Sequence, residues 1–128
     1  MSTILVIEDV PSVMLSLRIV LEGAGHAVQC ATNGEDGLAA LRRGGIDLVV
    51  TDIWMPGTLG SSVIAEGRRI APGTGFLAIT GGAPNGSVTP DQLARDGADF
   101  GADRILFKPF QRHELIAVVT DMTAAPGA

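Results

Sequence analysis

The sequence predicts an α/β fold, a doubly wound five-stranded parallel sheet with helices on both faces. Two observations carry that prediction. Five apolar runs of strand length punctuate the chain, and the segments between them have helical rather than alternating periodicity. A strict alternation of strand and helix buries its apolar faces by winding right-handed crossovers over both sides of one parallel sheet. At 128 residues the chain has the size of one domain with one core. The expected organisation is one domain over 1–124 and a short tail over 125–128, with no output domain.

The first run, Ile4 to Ile7, is followed by Pro11-Ser12, which can open a helix carrying Val13, Leu17, Val20 and Leu21 on one side; Gly23 to Gly25 ends it. The second run is Ala27 to Ala31, and the helix after it shows Leu38, Ala39 and Leu41 before Gly44-Gly45. Leu48 to Thr51 is the third run, and Ser61 or Ser62 can cap the helix that follows. Phe76 to Thr80 is the fourth. It leads into Gly81 to Ser87, a Gly/Pro/Asn loop, and then Thr89-Pro90, a cap and first-turn proline for a fourth helix. Ile105 to Phe107 is the fifth run, and the last helix spans about Gln111 to Met122.

A formal charge of -5 leaves no basic field for a phosphate backbone or an anionic lipid surface, so neither nucleic acid nor membrane is an expected partner. Arg42-Arg43 and Arg68-Arg69 fall late in predicted helices, where cations complement the dipole, and Lys108 is the only lysine. The single cysteine, Cys30, forms no internal disulfide and reads as a buried structural thiol. Ile4 to Ile7 is stopped by Glu8-Asp9 and has no basic stretch before it, unlike a signal peptide or a membrane span, so the cytoplasm is the expected location.

Ligands of open α/β sheets bind outside the carboxyl ends of the strands. Here the first strand ends in Glu8-Asp9, the third in Asp52, the fourth in Thr80-Gly81 and the fifth in Lys108-Pro109. Three carboxylates gathered at one edge raise one another's pKa unless a cation balances them. Oxygen donors with no His or Cys among them favour Mg²⁺, with Asp9 and Asp52 as direct ligands and Glu8 acting through water. A metal beside a carboxylate suits phosphoryl chemistry: the carboxylate attacks phosphorus, and Lys108 and Thr80 contact the phosphoryl oxygens. His26 and His113 lie away from the strand ends and read as surface histidines.

Glu8-Asp9, Asp52 with Met55-Pro56-Gly57 and Gly60, Thr80-Gly81, Gly101-Ala102-Asp103 and Lys108-Pro109-Phe110 together resemble the receiver domain of response regulators, over nearly the whole chain. The resemblance implies the flavodoxin-like strand order 2-1-3-4-5, Asp52 as phosphoacceptor, and Mg²⁺ (or Mn²⁺ in its place) held by Glu8, Asp9, Asp52 and the Trp54 carbonyl. It also implies Thr80 and Lys108 as sensors of the phosphoryl group, Thr80 with Ile105 as the switch pair, and a cis peptide before Pro109. The implied partners are a histidine kinase or histidine phosphotransfer protein and an unknown downstream protein. Such a domain is not an enzyme; it assists only its own phosphorylation and dephosphorylation.

Three features depart from the family pattern. Ile105 stands where an aromatic residue is usual, the segment from Thr80 to Lys108 is several residues longer, and Thr58-Leu59 replaces the commoner Met-Asp. Two alternatives follow: a phosphorylation-insensitive adaptor, favoured by Ile105 and the long segment, and a metal-dependent phosphohydrolase, which lacks an acidic residue two positions after Asp52. A dinucleotide-binding enzyme is excluded, because the turn Glu8 to Ser12 has no glycine and its charge repels a pyrophosphate.

Overall fold

The computed structural model describes residues 2–55, 58–80 and 101–124, with main chain alone at 54–55 and 58–61. The elements are β1 (Thr3–Ile7), α1 (Pro11–Gly23), β2 (Ala27–Ala31), α2 (Gly34–Arg42), β3 (Leu48–Asp52), β4 (Trp54–Met55), β5 (Thr58–Leu59), α3 (Gly60–Ile70), β6 (Gly75–Thr80), β7 (Arg104–Phe107) and α4 (Arg112–Thr123). Five strands form one parallel sheet in the order β2-β1-β3-β6-β7, which is the expected 2-1-3-4-5 once the two-residue strands β4 and β5 are set aside. Those two pair antiparallel as a small hairpin after β3.

Strand alternation sorts the core into two layers. Leu5, Ile7, Val49, Phe76 and Ala78 face Leu41 of α2 and Val63 and Ile64 of α3. Ile4, Val6, Val50, Leu77 and Ile79 face Leu17 and Leu21 of α1 and Leu115 and Val119 of α4. All five residues of β3 are buried, which explains their unbroken Leu-Val-Val-Thr-Asp run: a central strand of a doubly covered sheet has no solvent face. Each large aliphatic side chain buried here stabilises the fold by about 1.5–3 kcal/mol relative to exposure.

The helix ends follow from local chemistry. Pro11 occupies the first turn of α1, where its missing N–H costs nothing. Asn33 Oδ1 accepts from the Asp36 N–H at 2.7 Å and caps α2. Gly44 and Gly45, at φ of 83° and 81°, turn the chain out of α2 through a conformation that a Cβ disfavours. Gln111 and Glu114 form a capping box at the start of α4. α3 begins at Gly60, directly out of β5, so Ser61 and Ser62 lie inside its first turn and not before it. The predicted buried thiol is also corrected: Cys30 is exposed, because β2 is an edge strand whose residues 27 to 30 are poorly covered. The expected Gly81 to Ser87 loop, the expected fourth helix and the tail lie outside the described residues. Among the described residues, no helix is long and apolar enough to cross a membrane.

Candidate functional site

The parallel register builds the site. Ile7 of β1 is aligned with Thr51 of β3, so the next residues, Glu8 and Asp52, emerge side by side at the carboxyl edge, on the sheet face shared by Val6 and Val50. Glu8 stays tied to the sheet, its N–H donating to the Ala31 carbonyl at 3.0 Å, while its Oε1 accepts the Val10 N–H at 3.1 Å. Glu8 and Asp52 are 1% and 7% exposed. Asp9, half-buried, completes the group; one carboxylate oxygen from each of the three lies within 4.8 Å of the others.

From the other side, β6 and β7 deliver the cation. Thr80 is aligned with Phe107, and the Lys108 N–H donates to the Thr80 carbonyl at 2.8 Å. The Lys108 Nζ then lies 3.0 Å from Asp52 Oδ2 and 3.8 Å from Glu8 Oε2. The Lys108–Pro109 peptide is cis. Thr80 is fully buried. Thr51, also fully buried, donates its hydroxyl to the carbonyl of Asp52 at 3.0 Å.

The electrostatic balance of this cluster is incomplete. Burial pushes the Glu8 carboxyl up from 4.5 to about 7; the Asp52 charge and hydrogen bond push the same way, against the Val10 N–H and Lys108. One ammonium, itself a third exposed, pairs with two of the three carboxyl groups, Asp52 and Glu8. The residues fit a divalent cation: the donors are all oxygens, one from each carboxylate lies within 4.8 Å of the others, and Lys108 only partly offsets the charge of ionised Glu8. Such a donor set with one open, solvent-facing side suits Mg²⁺, which retains several waters.

Of the residues named from sequence, Glu8, Asp9, Asp52 and Lys108 come together, and Thr80 ends the strand between β3 and β7. Trp54 follows Asp52 by two as the first residue of β4; its side chain is not described. Ile105 is half-buried, packs against the α2/α3 core layer, and is aligned with Ala78 rather than with Thr80. His26 is half-buried, with Nδ1 3.4 Å from the Ser2 N–H, and His113 is exposed. Pro56, Gly57 and Gly81 lie outside the described residues. Sequence reasoning missed the Val10 N–H that holds Glu8, the Thr51 hydroxyl on Asp52, and the alignment of Phe107 with Thr80. The third was accessible in principle by counting back from Lys108; the first two depend on how the turns close.

Comparison with known proteins bears on the same residues. The response regulator receiver domain profile matches residues 4–120. The transcriptional regulatory protein TcrA of Mycobacterium tuberculosis is 40% identical over 114 residues, covering 89% of this chain and 43% of that protein. DltR of Streptococcus agalactiae is 35% identical over 114 residues, covering 89% and 48%. This chain therefore spans less than half the length of these curated relatives. Among solved structures, the Thermotoga maritima response regulator TrrA, in complex with Mg²⁺ and BeF, superimposes with a TM-score of 0.81 at 30% identity, covering 95% of this chain and 99% of that one. A receiver domain protein from Clostridium thermocellum gives 0.82 at 26% identity, covering 96% and 94%. With a family match running nearly end to end over a sheet of the same topology, the chain belongs to the response regulator receiver domains of two-component systems.

Proposed function

We propose that this receiver accepts a phosphoryl group on Asp52 and thereby switches a protein-interaction face. Receiver domains are phosphorylated by histidine kinases and bind Mg²⁺ at an acidic site; here the donor is a histidine kinase or histidine phosphotransfer protein, and the reader is a downstream protein. The observation that carries the reading is the Lys108 Nζ at 3.0 Å from Asp52 Oδ2, inside a cluster of three carboxyl groups at the ligand-binding edge of the sheet.

In the reaction, an Asp52 carboxylate oxygen attacks phosphorus. The phosphorus–nitrogen bond of the donor phosphohistidine breaks, its electron pair stays on nitrogen, neutral imidazole leaves with the proton its other ring nitrogen already carried, and an acyl phosphate remains on Asp52. Bound Mg²⁺, or Mn²⁺ in its place, supplies charge neutralisation of the phosphoryl oxygens. Asp9 and Asp52 would hold it directly, with the Trp54 carbonyl, and Glu8 through water. Lys108 exchanges its contact with the Asp52 carboxylate for one with a phosphoryl oxygen, a charge-assisted hydrogen bond that keeps its positive partner beside the new negative charge. Thr80 offers its hydroxyl to a second oxygen.

The chain catalyses no turnover of an external substrate in this reading; it accelerates only its own phosphorylation and dephosphorylation. With a charge of -5, nucleic acid contact is assigned to other proteins or other segments, although the relatives above are named as transcriptional regulators. Incubation with Mg²⁺ and a small phosphodonor tests the reading: the protein gains one phosphoryl mass, and none is gained by Asp52→Asn or in chelator.

A further inference from the structure

Thr51 places a hydroxyl where the packing asks for a hydrocarbon. It is aligned with Ile7 on one side and Ala78 on the other, and both belong to the α2/α3 core layer, as does Val49 two residues earlier. Strand alternation therefore puts the Thr51 side chain on that face and the Asp52 carboxylate on the opposite one. Thr51 is fully buried. Valine has nearly the same shape and would fill the position with no polar atom to desolvate, so the hydroxyl is offset there by the hydrogen bond it makes. That bond, 3.0 Å long, ends on the carbonyl of Asp52.

The same peptide unit is held from its other end. The Ile53 N–H donates to the Ile79 carbonyl at 3.1 Å, and the Ile53 side chain is buried in the α2/α3 layer. The planar Asp52–Ile53 peptide is thus gripped at its oxygen and at its hydrogen, which leaves it little freedom to rock about the chain axis. Rocking it would change two things at once: the direction in which the Asp52 side chain leaves the strand, and the path by which the main chain reaches Trp54. The first residue is the one that attacks phosphorus, and the second is the one whose carbonyl is assigned to the metal. Thr51 lies on the sheet face away from the acidic cluster, so its influence passes through the main chain.

We propose that Thr51 is a positioning residue for the metal and phosphoryl site: through the Asp52 carbonyl it fixes the spacing between the Asp52 carboxylate and the Trp54 carbonyl, two of the groups assigned to Mg²⁺. The inference rests on the reading of Asp52 and Trp54 as ligands, and its test separates the two. Wild type is compared with Thr51→Ser, which keeps the hydroxyl and loses a methyl group, and with Thr51→Val and Thr51→Ala, which both lose the hydroxyl. Each full chain is measured three ways: thermal unfolding in chelator, the Asp52 carbonyl carbon resonance in chelator, and Mg²⁺ titration followed by Trp54 fluorescence.

Stability follows side-chain size, with wild type and Thr51→Val above Thr51→Ser and Thr51→Ala. The other two measurements follow the hydroxyl instead. The Asp52 carbonyl resonance holds its place in Thr51→Ser and shifts upfield in Thr51→Val and Thr51→Ala. Mg²⁺ affinity is kept in Thr51→Ser and falls about five- to tenfold in the two variants without a hydroxyl, the worth of one buried hydrogen bond. A merely structural role for Thr51 gives one order in all three measurements. Thr51→Ala carries the comparison if Thr51→Val does not fold. A carbonyl resonance unmoved in the folded variants without a hydroxyl overturns the inference. A shifted resonance with wild-type Mg²⁺ affinity also overturns it and leaves the Asp52 reading intact. A wild type with no saturable response to Mg²⁺ overturns both the inference and the metal site on which it rests.

Discussion

Replacing Glu8 by Gln removes a buried carboxyl group whose desolvation outweighs its hydrogen bond and its pairing with Lys108, and the consequence is a pH-dependent gain in stability. The Glu8 carboxyl titrates near 7 in the folded protein and near 4.5 when unfolded. Below the lower value both states hold the proton and nothing differs between them. As pH rises from about 4.5 to 7 the unfolded chain releases that proton and the folded one keeps it, so stability falls across this window and levels off above it. At about 1.4 kcal/mol per pH unit the full loss is ~3 kcal/mol, an upper figure because the site relaxes and admits water. Glutamine retains an acceptor for the Val10 N–H and carries no charge to desolvate. In chelator, Glu8→Gln therefore melts about 5–10 °C above wild type at pH 8, taking roughly 4 °C per kcal/mol for a domain of this size, and the gap closes toward pH 4.5. Thermal unfolding followed by circular dichroism across that range measures it. Excess Mg²⁺ at pH 8 narrows the gap by stabilising the wild type more. A variant equal to or less stable than wild type at pH 8 in chelator would show that Glu8 is already balanced, and would refute the account of an unneutralised cluster.

Lys108→Ala leaves Mg²⁺ affinity unchanged or raises it, because the acidic group loses the cation that pairs with it among the described residues, yet the phosphorylated form no longer reaches its switched state; Trp54 fluorescence titration and partner binding read the two separately. Gly67→Ala destabilises by about 1–2 kcal/mol despite its better helix propensity, since the new Cβ would stand 2.8 Å from two ring atoms of the fully buried Phe76 and 3.1 Å from Leu41; urea unfolding checks it. Asn33→Ala costs ~1 kcal/mol through loss of the α2 cap, measured the same way, and leaves phosphorylation at wild-type rate.

The parallel strands were legible to within a residue because a sheet covered on both faces demands unbroken aliphatic runs, and the alternation with helical segments left little freedom in how to arrange them. The acidic cluster was legible for a related reason: once each run is a strand pointing the same way, whatever follows it lands on one edge. What escaped was set by contacts between distant residues. Asp103 accepts the Phe76 N–H at 2.9 Å and Arg68 at 3.0 Å, and the Arg68 Nε donates to the Gly101 carbonyl at 2.7 Å, a knot joining α3, β6 and the start of β7 that no local pattern announces. The β4–β5 hairpin is too short to show periodicity. Cys30 was misread because a five-residue apolar run does not reveal whether its strand is central or at the edge.

The central claim is that Asp52 is the phosphoacceptor of this receiver, and intact mass spectrometry tests it most directly. Wild type and Asp52→Asn are each incubated with Mg²⁺ and a small phosphodonor, after circular dichroism has established that both are folded. The account predicts a single added phosphoryl group on wild type, absent with chelator, and no added mass on the variant. A wild-type chain that gains no mass, or an Asp52→Asn chain phosphorylated as fully as wild type, would contradict it.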